Sequence, residues 1–304
     1  MKWSLIYILF ILPIILSSSC DSRSKNKRRQ NSSANLPISK TLVGDSFSSD
    51  NATQVHVSVC AWNLENFGKS KGDDIIDFVA NTVKGFDLIA IEEVVAGDGG
   101  AQAVGRLNDI LNRKGVKWDY TISDPTVSSS YKTERYAFLW KPSKLKKIGD
   151  AWLEKKFNLE IDREPFYANF QAEDKMFTLV TFHAITKKMQ PETEIKYFKF
   201  IPAEYPDKNL IFAGDFNCPQ SHTVFNPLKS MGFKPIFTGQ KTSLKQYCVE
   251  DECLASEFDN IFYKSEKVNF INSGIIPFYT NFADLQEARK VSDHVPIYFE
   301  FSLN

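Results

Sequence analysis

Apolar positions along this chain recur with two periods. Val55, Val57, Val59 and Ala61 occupy every second residue, the pattern of a β-strand with alternating faces. Short apolar runs of strand length follow at Leu88–Ile91, Ala137–Trp140, Phe166–Phe170, Phe177–Phe182, Leu210–Ala213, Ile261–Tyr263 and Val295–Phe301. Ile75, Ile76, Val79 and Val83 fit one face of a helix, as do Val104, Leu107, Ile110 and Leu111, and a third helix is expected over 192–204. Strands interspersed with helices predict an α/β or α+β arrangement in which helices cover sheets. No linker or repeat interrupts 55–304. Polar clusters near both ends of this stretch must meet to make one site, which favours one domain.

The residues before 55 break the pattern. Lys2 precedes an apolar stretch, Leu5 to Leu16, that is short for a membrane span, and Ser17-Ser18-Ser19-Cys20 follows. This resembles a bacterial lipoprotein signal over 1–19, with cleavage before Cys20 and lipidation there. Residues 20–54 are rich in Ser, Asn, Lys and Arg and read as a polar tether. The expected location is therefore the bacterial cell envelope, with Cys20 in the lipid bilayer. The basic run Lys25-Asn26-Lys27-Arg28-Arg29 reads as solvated linker before it reads as a DNA or lipid contact. With 37 Lys and Arg against 37 Asp and Glu, formal net charge is zero, and loss of Lys2 with the signal leaves −1. That argues against a protein held to nucleic acid by bulk charge, though an enzyme that meets DNA locally is compatible with it.

Cysteine usage fits export. Cys60 alternates with apolar residues and is expected to be a buried thiol, while Cys248 and Cys253 lie close together in a polar loop and are disulfide candidates, with Cys218 a rival partner. No Cys or His spacing suggests zinc.

Four polar clusters sit at the ends of apolar runs: Trp62-Asn63-Leu64-Glu65-Asn66-Phe67, Ile91-Glu92-Glu93-Val94, Gly214-Asp215-Phe216-Asn217 and Ser292-Asp293-His294. Strand ends hold a side chain on rigid backbone while leaving it free to react. Hard oxygen ligands beside imidazole suit Mg²⁺ or Ca²⁺ and proton transfer at phosphate. Glu93 is the best single metal ligand, since a carboxylate just after an apolar strand is poorly explained by packing, and Glu92 must then point to the other side. Asp215 and Asn217 fall on one side of an extended backbone, although Gly-Asp-Phe-Asn reads equally well as a turn. Of four histidines, His183 ends an apolar run and His294 begins one; Glu134 and Asp259 are the candidate carboxylates to fix their tautomers. Singly, either histidine is more often structural. His56 reads as a strand-surface residue and His222 as a loop residue. Arg163 can grip a phosphate bidentately, or form a surface salt bridge.

These same residues resemble the endonuclease/exonuclease/phosphatase superfamily, and within it the deoxyribonuclease I branch, over roughly 55–304. The sharper match is Ser130-Tyr131-Lys132-Thr133-Glu134-Arg135-Tyr136-Ala137-Phe138-Leu139-Trp140 with Arg163-Glu164-Pro165. The resemblance implies a four-layer sandwich, two packed β-sheets with helices outside. It implies that Glu93 holds the essential divalent metal, Mg²⁺ with Ca²⁺ or Mn²⁺ in support, helped by Asn63 and Asp293. It implies that His183 with Glu134, and His294 with Asp259, flank the scissile phosphate as acid and base, and that Asp215 and Asn217 orient nucleophile and phosphate. Arg163, Tyr131 and Arg135 become the expected DNA contacts. The branch also places an arginine after the glutamate motif, where this chain has Val95-Ala96-Gly97, and a tyrosine where it has Phe258.

The reading favoured by sequence is a monomeric, metal-dependent, non-specific DNA endonuclease. A phosphatase or sphingomyelinase-like phosphodiesterase of the same superfamily shares the metal site and both histidines. A catalytically inactive surface-binding module is disfavoured because every matching acid, His and Asn position is filled.

Overall fold

The computed structural model describes residues 55–128 and 132–304. Tyr131 and Cys20, expected as a DNA contact and a lipidation site, lie outside the described residues, as does the proposed tether. In chain order the strands are β1 (His56–Phe67), β2 (Leu88–Val95), β3 (Asp119–Ile122), β4 (Glu134–Trp140), β5 (Lys146–Leu153), β6 (Phe166–Ala172), β7 (Lys175–His183), β8 (Leu210–Asp215), β9 (Phe233–Pro235), β10 (Leu244–Val249), β11 (Glu252–Leu254), β12 (Asp259–Lys264), β13 (Val268–Ile275) and β14 (Ile297–Leu303). They form two six-stranded mixed sheets, ordered β13-β14-β1-β2-β4-β3 and β5-β6-β7-β8-β12-β9, plus the small β10–β11 hairpin.

Burial on both faces explains the near-continuous apolar runs. Along β1, Val57, Val59 and Ala61 enter the layer between the sheets with Phe138, Phe166, Phe170 and Phe299. The alternate residues Cys60 and Trp62 pack outward under α1 (Asp73–Val83) and α2 (Asp98–Arg113), against Ile76, Val79, Val104 and Leu107. The second sheet is covered in the same way: Phe182, Phe212 and Phe262 meet Phe198, Ile201, Phe225 and Leu228. Four layers result, helices–sheet–sheet–helices. Cys60 is fully buried, which pushes its thiol pKa well up and makes it an inert core residue.

The third expected helix is broken. Residues 192–204 form α3 (Glu192–Ile195), a 3₁₀ turn at Lys196–Lys199 and α4 (Ile201–Glu204). Pro202 lacks an N–H and its ring crowds the preceding turn, so it is tolerated only in the first turn of a new segment.

Topology decides where chemistry can sit. Among the described residues, only β1–β2 and β7–β8 are parallel pairs, one in each sheet, and each is joined by a helical crossover. The Asn63–Asp215 contact brings the C-terminal ends of the two pairs to a common edge. Antiparallel β4 and β12 begin at that edge, and residues 292–294 lead into β14 there.

Candidate active site

Each strand delivers a polar group at this edge. Asn63 leaves β1, Glu92 and Glu93 leave β2, Glu134 opens β4, His183 closes β7, Asp215 closes β8, Asp259 opens β12, and His294 precedes β14. Polar contacts cross from sheet to sheet here, among them Asn63 Nδ2, 3.3 Å from Asp215 Oδ2, and Thr181 Oγ1, which donates to Glu92 Oε1. Gly214 lets β7 and β8 approach closely at this edge. Its φ is +126°, and a Cβ there would stand 2.2 Å from the Phe182 carbonyl oxygen.

The two histidines are built alike. His183 Nδ1 is 3.0 and 3.1 Å from the Glu134 oxygens, and His294 Nδ1 is 2.7 Å from Asp259 Oδ2. Both Nε2 atoms then reach the same oxygen, Asp215 Oδ2, each at 3.5 Å. A carboxylate on Nδ1 leaves Nε2 facing the cleft.

Their electrostatics differ. Burial, reinforced by the Arg163 guanidinium, lowers His183 to about 4, while burial pushes the Glu134 carboxyl up to about 7 against the pull of Arg163. For His294, burial opposes the charged ring, but Asp259 and Asp215 outweigh it and hold the pKa well above the ordinary value. His183 is thus the neutral ring and His294 the charged one near neutrality.

Buried hydrogen bonds fix this arrangement. Thr242 Oγ1 donates to Asp259 Oδ2 at 2.5 Å and accepts from the Asp259 N–H at 2.9 Å. Trp62 Nε1 donates to the His294 carbonyl at 2.7 Å, and Ser292 Oγ ties Asn63 to His294. Sequence reasoning missed Thr242, which sits in a loop with no periodic signal. The Asp215–Asn217 segment is a turn rather than extended backbone: Asn217 has φ +49° and its N–H donates to Asp215 Oδ1 at 2.8 Å. Its side chain donates to the Ala184 carbonyl.

Two expected DNA contacts are otherwise engaged. Arg163 Nε donates to the His183 carbonyl at 2.9 Å, Nη2 to the Ala184 carbonyl, and Nη1 meets Glu134 at 3.2 Å. It is buried beneath the site and holds both members of the His183–Glu134 pair in place. Arg135 donates to the carbonyls of Ala96 and Ser123, each at 2.8 Å, and pins the loop after β2.

Glu92 and Glu93 part at a bulge in β2, where Glu93 has φ +58°. Glu92 turns into the interior, where burial raises its pKa strongly and Thr181 Oγ1 donates to it. Glu93 opens onto the cleft; its Oε1 accepts from Asn63 Nδ2 at 3.0 Å and its Oε2 from the Asn66 N–H at 3.0 Å. Glu65, Asn66, Glu93 and Asn217 all have positive φ. Non-glycine residues in this region cost energy, and their clustering around one cleft marks it as functional.

That cleft measures about 750 Å³, and Glu65, Glu93 and Asp293 share one side of it. Glu65 was not singled out by sequence. Its pKa is raised by burial first and then by Asp293, with Glu93 adding to the effect. Three mutually repelling carboxylates with oxygen donors fit a hard divalent cation. The Asn63 amide turns its nitrogen to the carboxylates while its oxygen accepts from the Glu65 N–H, so it orients Glu93. Asp215, Asp259 and His294 also bring ligand atoms within 4.8 Å of one another. A cation there would compete with the proton that His294 shares with Asp259.

Cys248 and Cys253 form a disulfide, and Cys60 and Cys218 are free. His56 is exposed on β1, and exposed His222 accepts from the Val224 N–H as a cap.

No protein-family model matches the chain. A deoxyribonuclease of Thioalkalivibrio sp. (strain K90mix) is 28% identical over 274 residues, covering 83% of this chain and 73% of that protein. Canine deoxyribonuclease-1 is 25% identical over 264 residues, 79% of this chain and 89% of the relative. Among solved structures, an endonuclease/exonuclease/phosphatase family protein of Bacteroides thetaiotaomicron superposes with a TM-score of 0.59 at 17% identity, covering 83% of this chain and 99% of the other. In fold and in sequence, the chain resembles the endonuclease/exonuclease/phosphatase superfamily and, within it, deoxyribonuclease I.

Proposed function

We propose that this protein is a divalent-metal-dependent endonuclease that hydrolyses DNA phosphodiesters without sequence specificity at the bacterial cell envelope, anchored through Cys20. The observation that carries the reading is the convergence of two carboxylate-paired imidazoles, one neutral and one charged, on Asp215 Oδ2. Hydrolysis adds a water oxygen to phosphorus while the bond to a sugar oxygen breaks. One proton must leave the water and one must reach the leaving oxygen. Neutral His183 suits the first transfer and charged His294 the second, with Asp215 orienting both rings. Glu93 and Asp293, with Glu65, would hold Mg²⁺, which Ca²⁺ or Mn²⁺ can support; a divalent cation supplies charge neutralisation on the phosphoryl oxygens. The deoxyribonuclease relatives favour DNA as substrate.

The test is nicking of supercoiled plasmid. Wild type is expected to nick in Mg²⁺ and to stop in excess chelator. Glu93→Ala should cripple the rate without loss of fold. His183→Ala and His294→Ala should each lose about 10²–10⁴-fold, and the double variant little more, because the pair acts as a unit. Full nicking in chelator, or near-normal rates in both histidine variants at every pH, overturns the reading.

A further inference from the structure

Four Lys or Arg side chains line the cleft: Lys132, Arg163, Lys245 and Arg289. Three have partners. Lys132 faces Asp162 at 3.3 Å, Arg163 is held by Glu134 and two carbonyls, and Arg289 donates to the Leu244 carbonyl at 3.0 Å and meets Asp293 at 3.4 Å. Lys245 has neither an acidic nor a carbonyl acceptor among the described residues, although it is half-buried. Its place on the wall is built. Leu244, the residue before it, is buried; its N–H donates to the Asp293 carbonyl at 2.7 Å, and its carbonyl is the one Arg289 holds. Ser243 bridges to His294. The β10–β11 hairpin thus rises directly from the catalytic edge. Its far end is closed by the Cys248–Cys253 disulfide and braced by Gln286, whose Nε2 donates to Tyr247 Oη at 2.8 Å.

An ammonium without a partner, beside a cleft whose other side is acidic, is set for an anion that arrives with the substrate. We propose that Lys245 is a phosphate-binding residue of the substrate track, and that the disulfide-closed hairpin holds it there. This rests on the nuclease reading. Lys245 grips a phosphate next to the scissile one, and it takes the role that Arg163 and Arg135, engaged within the protein, leave open. A lysine is a rotatable point charge, so this contact fixes the strand without reading sequence.

The experiment compares steady-state nicking of duplex DNA by full-length wild type, Lys245→Ala, Lys245→Arg and the Cys248→Ser/Cys253→Ser double variant across a salt series. Lys245→Ala is expected to raise KM roughly tenfold and leave kcat within twofold. The log–log dependence of KM on salt should flatten by about 0.9, one phosphate contact. Lys245→Arg should restore both. The double cysteine variant should raise KM as well, and should add nothing to Lys245→Ala. A wild-type KM and salt slope in Lys245→Ala, or a fall in kcat alone, overturns the assignment. An unchanged KM in the cysteine variant overturns the part given to the hairpin. Wild type that cleaves no DNA overturns the nuclease reading and this inference with it.

Discussion

The two histidines carry the same ring on opposite sides of one carboxylate, and their surroundings set them to opposite charges. His183 has Arg163 behind it and Glu134 drawn partly away by that guanidinium; His294 has Asp259 and Asp215 with no cation between. The pH–rate profile should show this. For His183 Nε2 to accept a proton, Glu134 must be ionised on Nδ1 as well as the ring neutral; burial holds Glu134 up at about 7 and His183 down at about 4, so the acid limb of kcat/KM belongs near 7, where Glu134 takes up its proton. His294 must be charged, so the alkaline limb lies above 6.5. Stability follows the sign of the His183 shift. Its folded value lies below its unfolded one, so the contribution of the neutral ring is present above about 6.5 and is lost as pH falls through about 4. Nicking rates at saturating metal across pH 4 to 9 check the first point. A rate that stays flat down to pH 5 would show that an ionised Glu134 behind His183 is not needed.

At the scale of elements, the sequence revealed the inside of the sheets and not their borders. All eight strands found by apolar pattern are interior strands of the two sheets: β1, β2, β4, β6, β7, β8, β12 and β14. Of the six that escaped, β3, β5, β9 and β13 are the four edges of the two large sheets, and β10 and β11 make the small hairpin. An edge strand pairs on one side only and buries less, and β13 exposes four consecutive residues, Asn269 to Asn272, so neither alternation nor an apolar run survives. The site was legible for a related reason: carboxylates and histidines at the ends of buried strands contradict packing and stand out. Thr242 and the hairpin lysine do not contradict anything around them in sequence, and only their contacts give them meaning. Gly214 was legible as part of a cluster that could turn, and its contacts supply the reason for a glycine. A side chain there would strike the carbonyl of a neighbouring strand and require a left-handed backbone as well. Gly214→Ala should cost roughly 3 kcal/mol or more, about 6–12 °C in melting temperature. Gly85→Ala, where a Cβ meets nothing within 4 Å, should be near neutral in the same melting experiment. Equal stability of both variants would mean that the close approach of β7 and β8 is not needed.

For the whole molecule, charge and address have to be reconciled. The full chain has no net charge, so nothing in its bulk electrostatics draws it to DNA or to an anionic membrane. On the proposed reading, grip on substrate then falls to a few local contacts in the cleft, and attachment to the envelope to a lipid on Cys20. The basic run from Lys25 to Arg29 is a rival anchor, since each lysine or arginine near an anionic surface contributes about 1 kcal/mol. The two anchors respond differently to salt, because hydrophobic insertion of acyl chains is not screened whereas polybasic attachment is. Wild type should therefore remain in the membrane fraction through a high-salt wash and leave it only in detergent. Cys20→Ser should appear in the soluble fraction with its nicking activity intact, since every described residue that lines the cleft lies beyond residue 55. Release of wild type by salt alone would assign the attachment to the basic run, and loss of activity in soluble Cys20→Ser would show that the membrane contributes to catalysis as well as to location.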